Sequence, residues 1–275
     1  LEIEVFQPKR STINPWTEVT VVSNKEIILD SESVGMQYIG STDQGRYYLV
    51  RLENLEVGKV EKRLKFKDQA GGEYEELIRV TREDFVFPPG FDSVGPWENS
   101  EYTVDGNSFT AVVDKSHRLF EDYEPEDLID LNKTLGLYTL NNAQLRSEPA
   151  YALRDMLREM QDDTGKTVTV ASGYRSYLTQ SKTYSNWVKE LGENGAKGVS
   201  ARPGHSEDQL GTTVDFVSAD TNWQITNDFG NTKAGKWLAE NAHRFGFVIP
   251  YNEDNSEIGG YKEESWHFRY VGKVD

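Results

Sequence analysis

Asp215, Glu264 and His267 have the residue types and spacing from which a hydrolytic metal site is built. Asp215 lies near the end of the run Pro203-Gly-His-Ser-Glu-Asp-Gln-Leu-Gly-Thr-Thr-Val-Asp-Phe216, and Glu264-Ser-Trp-His267 follows far downstream. A carboxylate and an imidazole hold a divalent ion, while a second carboxylate that does not ligate moves protons. Thr213 to Val217 reads as a strand with Thr213 and Asp215 on one face and Val214 and Phe216 on the other, so Asp215 is expected to face a site and its neighbours a core. Phe268-Arg269-Tyr270-Val271 also has strand composition. Upstream, Thr167-Val-Thr-Val-Ala171 reads as a strand entering Ser172-Gly-Tyr-Arg-Ser176. There Ser176 is expected to cap a helix carrying Tyr184, Val188 and Leu191, which leaves Arg175 at a strand-to-helix turn.

These three segments, in this order and within roughly Leu119 to Gly272, resemble the signatures of VanY-type D-alanyl-D-alanine carboxypeptidases, a zinc peptidase family that also includes L,D-carboxypeptidases. The resemblance implies one Zn2+ per chain, or another divalent ion, held by Asp208, Asp215 and His267. It implies Glu264 as the proton carrier and Arg175 as the group beside the metal that polarises the scissile carbonyl, a task suited to a guanidinium facing a developing oxyanion. Tyr174, Gln180, Ser206 and Trp266 are the implied substrate contacts. The implied reaction is removal of the C-terminal D-alanine from peptidoglycan stem peptides, with an L,D-carboxypeptidase or endopeptidase as the alternative on the same scaffold. At one position the chain departs from the family, which normally has a zinc-binding histidine where this sequence has Asp208. Three readings follow. Asp208 binds the ion itself, giving a harder site whose bound water is less acidic. Alternatively His205, three residues earlier, supplies the nitrogen. In the third, metal binding is weakened or lost, leaving an inactive relative that still holds peptidoglycan peptides.

The other histidines point elsewhere. His243 precedes Arg244-Phe-Gly246 at the end of an expected helix with Trp237, Leu238 and Ala242, where a cationic side chain is ordinary C-terminal dressing. His117 has no partner in sequence and is expected to be structural.

The 46 acidic against 30 basic residues leave a net charge of −16, which disfavours nucleic acid or an anionic membrane as partner and favours cations. No cysteine is present, so disulfides and thiolate zinc sites are excluded, in keeping with an exported bacterial protein of the cell envelope or exterior. The chain opens on Leu1, so a signal peptide or anchor is expected to have been removed. No segment has the length and apolarity of a membrane span.

Two domains are expected to carry these residues. Short alternating strands at Glu2–Phe6, Thr17–Val22, Glu26–Leu29, Met36–Ile39, Arg46–Leu52, Val60–Phe66 and Tyr74–Thr81 predict a β-sandwich over residues 1–86, resembling bacterial immunoglobulin-like spacer or docking modules. Pro and Gly between Phe87 and Pro96 mark a linker region, 87–108. Residues 109–275 are then an α+β metallocarboxypeptidase domain with a small antiparallel sheet, as the resemblance implies. Tyr102–Val113 is read as two strands around Asp105-Gly106, Glu124–Asp130 as a first helical turn, and Ser147 as the cap of a helix with Ala150, Leu153, Leu157 and Met160 on its apolar face.

Overall fold

The computed structural model describes residues 1–6, 12–30, 34–85, 100–103, 105–251 and 262–273. Alternation of apolar and charged side chains produces seven strands in the first part of the chain: β1 (Ile3–Val5), β2 (Thr17–Ser23), β3 (Ile27–Leu29), β4 (Gly35–Thr42), β5 (Gly45–Leu52), β6 (Gly58–Asp68) and β7 (Glu73–Arg82). Each falls on an expected strand. Then follow β8 (Glu101–Tyr102), β9 (His117–Arg118), β10 (Leu128–Asp130), α1 (Leu131–Leu135), β11 (Gln144–Arg146), α2 (Ser147–Thr164), β12 (Thr169–Ser172) and α3 (Tyr177–Val199). The chain closes with β13 (Thr213–Val217), α4 (Lys233–Asn241), β14 (Phe247–Val248) and β15 (His267–Tyr270).

Two compact units divide the chain, and they interleave along it. The first takes Leu1–Gly106, Lys115–Glu124 and Tyr177–Ser206; the second takes Asn107–Asp114, Pro125–Ser176 and Glu207–Asp275. The sequence reading places a single break in residues 87–108, of which 87–99 and 104 lie outside the described residues.

In the first unit, antiparallel sheets in the orders β1-β2-β5-β4 and β3-β6-β7 bury one core between them, with Val19, Val21, Val50 and Leu52 from one sheet and Ile27, Leu64, Phe66 and Ile78 from the other. The expected two-sheet packing is thus present. β1 pairs only with Val21–Ser23 of β2. Beyond its reach, the Glu121 carboxylate accepts the Glu18 N–H at 2.8 Å and the Thr17 hydroxyl at 2.9 Å, and Asp122 accepts the Thr20 N–H at 3.0 Å. These carboxylates do for an open strand edge what a neighbouring strand would do. Tyr184 and Val188 of α3 are buried with Ile13, as expected of that helix face. Leu191 is exposed instead, because Gly192 breaks the helix at φ 71°.

In the second unit an antiparallel sheet of order β12-β13-β15-β14 packs its apolar face, Val170, Val214, Phe216 and Phe268, against Leu153, Met156 and Met160 of α2 and Leu238 of α4. Ala150, Leu153 and Met160 are buried and Leu157 packs at the margin, as the helical period predicts.

Three local expectations are corrected. Glu124–Asp130 is not a helical turn: Leu128–Asp130 pairs with β11, and Asp130 caps the following α1 by accepting the Lys133 N–H at 2.8 Å. Ser147 is the first residue of α2 rather than its cap, because its hydroxyl donates to Asp127, 3.0 Å away. The hairpin over Tyr102–Val113 is not formed by the described residues. Glu101–Tyr102 pairs with β9 in parallel, and the carbonyls of Phe109 and Ala111 accept from the Arg269 guanidinium in place of a strand partner.

Burial raises Glu121 to about 8; its carboxyl is enclosed although the residue as a whole is half-buried, and the Glu18 charge adds to the shift. A carboxyl raised on folding contributes stability that is present below its unfolded range, about pH 4.5, and is lost as pH rises through its folded value. Stability of the first unit should therefore fall between pH 5 and roughly 8, and Glu121→Gln should flatten that fall. Urea unfolding across this range checks it, and parallel profiles for the two proteins would contradict it.

Candidate active site

The polar face of the second unit's sheet carries the candidate residues, and strand register places them. Asp215 on β13 stands opposite His267 on β15, and Thr213 stands opposite Arg269. All four are buried. Their intervening neighbours Val214, Phe216 and Phe268 face the core, as period-two alternation requires. The His267 Nδ1 lies 2.7 Å from the Asp215 Oδ1. Burial works against a charged imidazole here, but hydrogen bonding to Asp215, the Glu207 contact and the charges of Asp215 and Asp208 hold His267 well above its usual range.

Asp208 lies in the one-turn 3-10 segment Glu207–Leu210, between the Pro-Gly turn and β13. Gly211 ends that turn at φ 69°, where an added Cβ would stand 2.9 Å from Leu128 Cδ2, so glycine alone fits the bend. The Asp208 Oδ1 accepts the Thr213 hydroxyl at 2.8 Å, and its Oδ2 lies 2.9 Å from Arg175 Nη1. The same arginine donates its backbone N–H to the Asp208 carbonyl at 3.0 Å and its Nη2 to Ser172 Oγ at 3.2 Å. Gly173 allows this turn, since a Cβ there would come within 2.5 Å of the Gln144 carbonyl oxygen. Arg175 thus reaches the site from the β12-to-α3 junction, as the sequence suggested.

Glu264 is half-buried and donates its N–H to the Tyr251 carbonyl at 3.0 Å. Burial pushes its carboxyl up to about 7; His267 opposes the shift, and the charges of Asp215, Asp208 and Glu207 reinforce it. Trp266 packs against the core and its carbonyl accepts the Phe216 N–H, while the Tyr174 N–H donates to the Gln144 carbonyl. Arg175, Asp208, Asp215, Glu264 and His267 therefore gather in one unit.

Two of the expected substrate residues, Gln180 and Ser206, belong to the other unit, where the Gln180 amide donates to the Ala201 carbonyl at 2.6 Å. His205 is also there, its Nε2 3.3 Å from Ser100 Oγ. His117 lies 3.8 Å from Glu101, and His243 is exposed at a helix end.

The expected three-donor set for zinc does not form. The Asp208 oxygens are taken by Arg175 and Thr213, and Asp215 and His267 point at each other. Among the described residues no three histidine or acidic side chains are disposed to share one ion. As arranged, these donors do not fit the metal.

Sequence reasoning missed Glu207 and Arg269. Arg269 ion-pairs with Glu207, whose other oxygen lies 3.6 Å from His267 Nε2, and the Tyr251 ring stacks on the imidazole with centroids 5.2 Å apart. Burial favours the neutral acid at Glu207, but His267 and Arg269 overcome it and lower its pKa. The available signal was Arg269 itself, two residues after His267 and so on the same strand face.

The family pattern described as VanY: D-alanyl-D-alanine carboxypeptidase matches residues 142–273. YodJ of Bacillus subtilis (strain 168) is 34% identical over 184 residues, covering 66% of this chain and 67% of that protein. The bifunctional D-Ala-D-Ala dipeptidase and D-Ala-D-Ala carboxypeptidase VanXYC of Enterococcus gallinarum is 30% identical over 165 residues, covering 58% of this chain and 82% of that protein. Among solved structures, the LdcB LD-carboxypeptidase superposes with a TM-score of 0.60 at 33% identity, covering 66% of this chain and 84% of that one.

Because Glu264 is raised on folding, its contribution to stability is present below about pH 4.5 and lost as pH rises through about 7. Glu264→Gln should raise Tm relative to the parent above pH 7 and leave it nearly unchanged at about pH 4. A Tm difference that does not widen with pH, read by calorimetry, would contradict this account of the burial.

Proposed function

This chain belongs to the VanY D-alanyl-D-alanine carboxypeptidase family, and on that premise we propose that it acts in the bacterial cell envelope on peptidoglycan stem peptides, removing the C-terminal D-alanine. The observation that carries the reading is the convergence of Arg175, Asp208, Asp215, Glu264 and His267, from three separate segments, in one unit. Glu264 takes the proton of the attacking water as the C–O bond forms. It returns that proton to the amine of D-alanine as the C–N bond breaks, a role suited to a carboxyl poised near neutrality. Arg175 supplies positive charge for the oxyanion. Tyr174 and Trp266, which share this unit, border the peptide. No step is assigned to a metal ion, since the donors as arranged do not hold one.

A second reading, recognition of the peptide without hydrolysis, is favoured by the Arg175–Asp208 pair, which joins the expected oxyanion group to the position of the missing histidine. The two readings part in one experiment: bound zinc is measured while D-alanine release is followed from a stem pentapeptide and a tetrapeptide. Release from the pentapeptide, abolished by Glu264→Ala, supports the hydrolytic reading. Cleavage of the tetrapeptide instead assigns L,D specificity, as in LdcB. Peptide binding with no release at any zinc concentration, and release gained in Asp208→His, would establish the second.

A further inference from the structure

His267 is held from three sides, by Asp215, by Glu207 and by the Tyr251 ring. Among the described residues the His267 Nε2 is buried with no hydrogen-bond partner, and so is the Glu207 Oε2, 3.6 Å away. Two orphaned and complementary polar atoms at this separation need a movement of under an ångström to meet, and leaving either buried alone is costly. Glu207 is in turn braced. Its Oε1 accepts from Arg269 Nη1, and the Arg269 Nη2 donates to the carbonyls of Ala111 and, at 3.3 Å, Phe109. Glu207, Arg269 and His267 are 6%, 8% and 5% exposed, so three ionisable groups have been withdrawn from water in one row. Such a group is a poor source of net stability compared with apolar packing of the same volume. Its geometry, however, suits the orientation of one imidazole, in the way an outer carboxylate fixes the ring of a histidine whose other nitrogen works.

We propose that Glu207, braced by Arg269, is the positioning residue for His267: it holds the Nε2–H and so makes Nδ1 the nitrogen presented to Asp215 and the reacting centre. Register contributes to this arrangement. Arg269 follows His267 by two residues on β15 and shares its face, while Glu207 immediately precedes Asp208 in the turn that leads into β13. The Tyr251 ring stacked on the imidazole limits tilting about the same axis.

The inference rests on the reading of His267 as part of the working site, and its test has a part that requires no turnover. In protein with 15N-labelled histidine, His267 should show two ring N–H resonances shielded from solvent exchange. Glu207→Leu should lose the shielding of Hε2 while Hδ1, on Asp215, keeps its own. Glu207→Gln retains a carbonyl acceptor of the same length and should preserve both. If Glu207→Leu does not fold, Arg269→Met, which removes the brace and leaves the Glu207 side chain in place, should weaken the Hε2 shielding. In turnover, Glu207→Leu should lower kcat about 10- to 100-fold with little change in KM, and Glu207→Gln should recover most of it. Unchanged Hε2 shielding in Glu207→Leu, or in Arg269→Met where that variant is used, would overturn the proposal even if D-alanine is released. Loss of shielding in a protein that releases none would uphold it and remove the hydrolytic reading alone.

Discussion

The antiparallel pairing of β13 with β15 is the constraint on which the site depends. One register sets Asp215 opposite His267 and Thr213 opposite Arg269, and the same register sends Val214, Phe216 and Phe268 into the core. A slip of one residue would exchange the two faces, putting carboxylate and imidazole among α2 and α4 and apolar rings into the site. The hydrophobic core of this unit therefore secures the chemistry as well as the fold. Segments too short to be stable alone, of four and five residues, are held by their buried faces.

Electrostatics in the site follow from crowding. Four acidic groups, Glu207, Asp208, Asp215 and Glu264, share a partly dry surface with Arg175, Arg269 and His267. Each acid with a close cationic partner is matched: Asp208 to Arg175, Asp215 to His267, Glu207 to Arg269. Among the described residues Glu264 has no such close match, and burial together with its acidic neighbours, opposed by His267, raises its carboxyl to about 7. A carboxyl in that condition can take and return a proton near neutrality, whereas the matched acids are tied to their cations. The exchange of a histidine for Asp208 fits the same pattern. The anionic Asp208 side chain pairs with Arg175 at the position where the resemblance leads one to expect a metal-binding histidine.

A similar device operates in the first unit with a different result. Glu121 and Asp122 cap the open N–H groups of β2, so a loop segment completes a sheet edge that β1 is too short to cover. Here carboxylates act as backbone partners, and burial raises their pKa values, with the Glu18 charge adding to the shift. Local chemistry of one residue type thus serves structure in one unit and a candidate reaction site in the other.

Much of the architecture was legible in the residues. Alternation located all seven strands of the sandwich, and the 3.6-residue period located the buried face of α2, because both signals are local and survive without knowledge of partners. The family resemblance likewise singled out Arg175, Asp208, Asp215, Glu264 and His267, which share one compact unit. Expectations failed where a distant group claimed a local one: Ser147 turned from cap to donor because Asp127 was near, and the Phe109 and Ala111 carbonyls met a guanidinium from β15. By itself, then, the sequence determined strand positions, the faces of those strands and the residue types available for chemistry. Only the tertiary structure decided how those residues pair, joining Arg175 to Asp208 and setting Glu207 behind His267. Charge pairing depends on distances between segments far apart in the chain, and no local pattern encodes them.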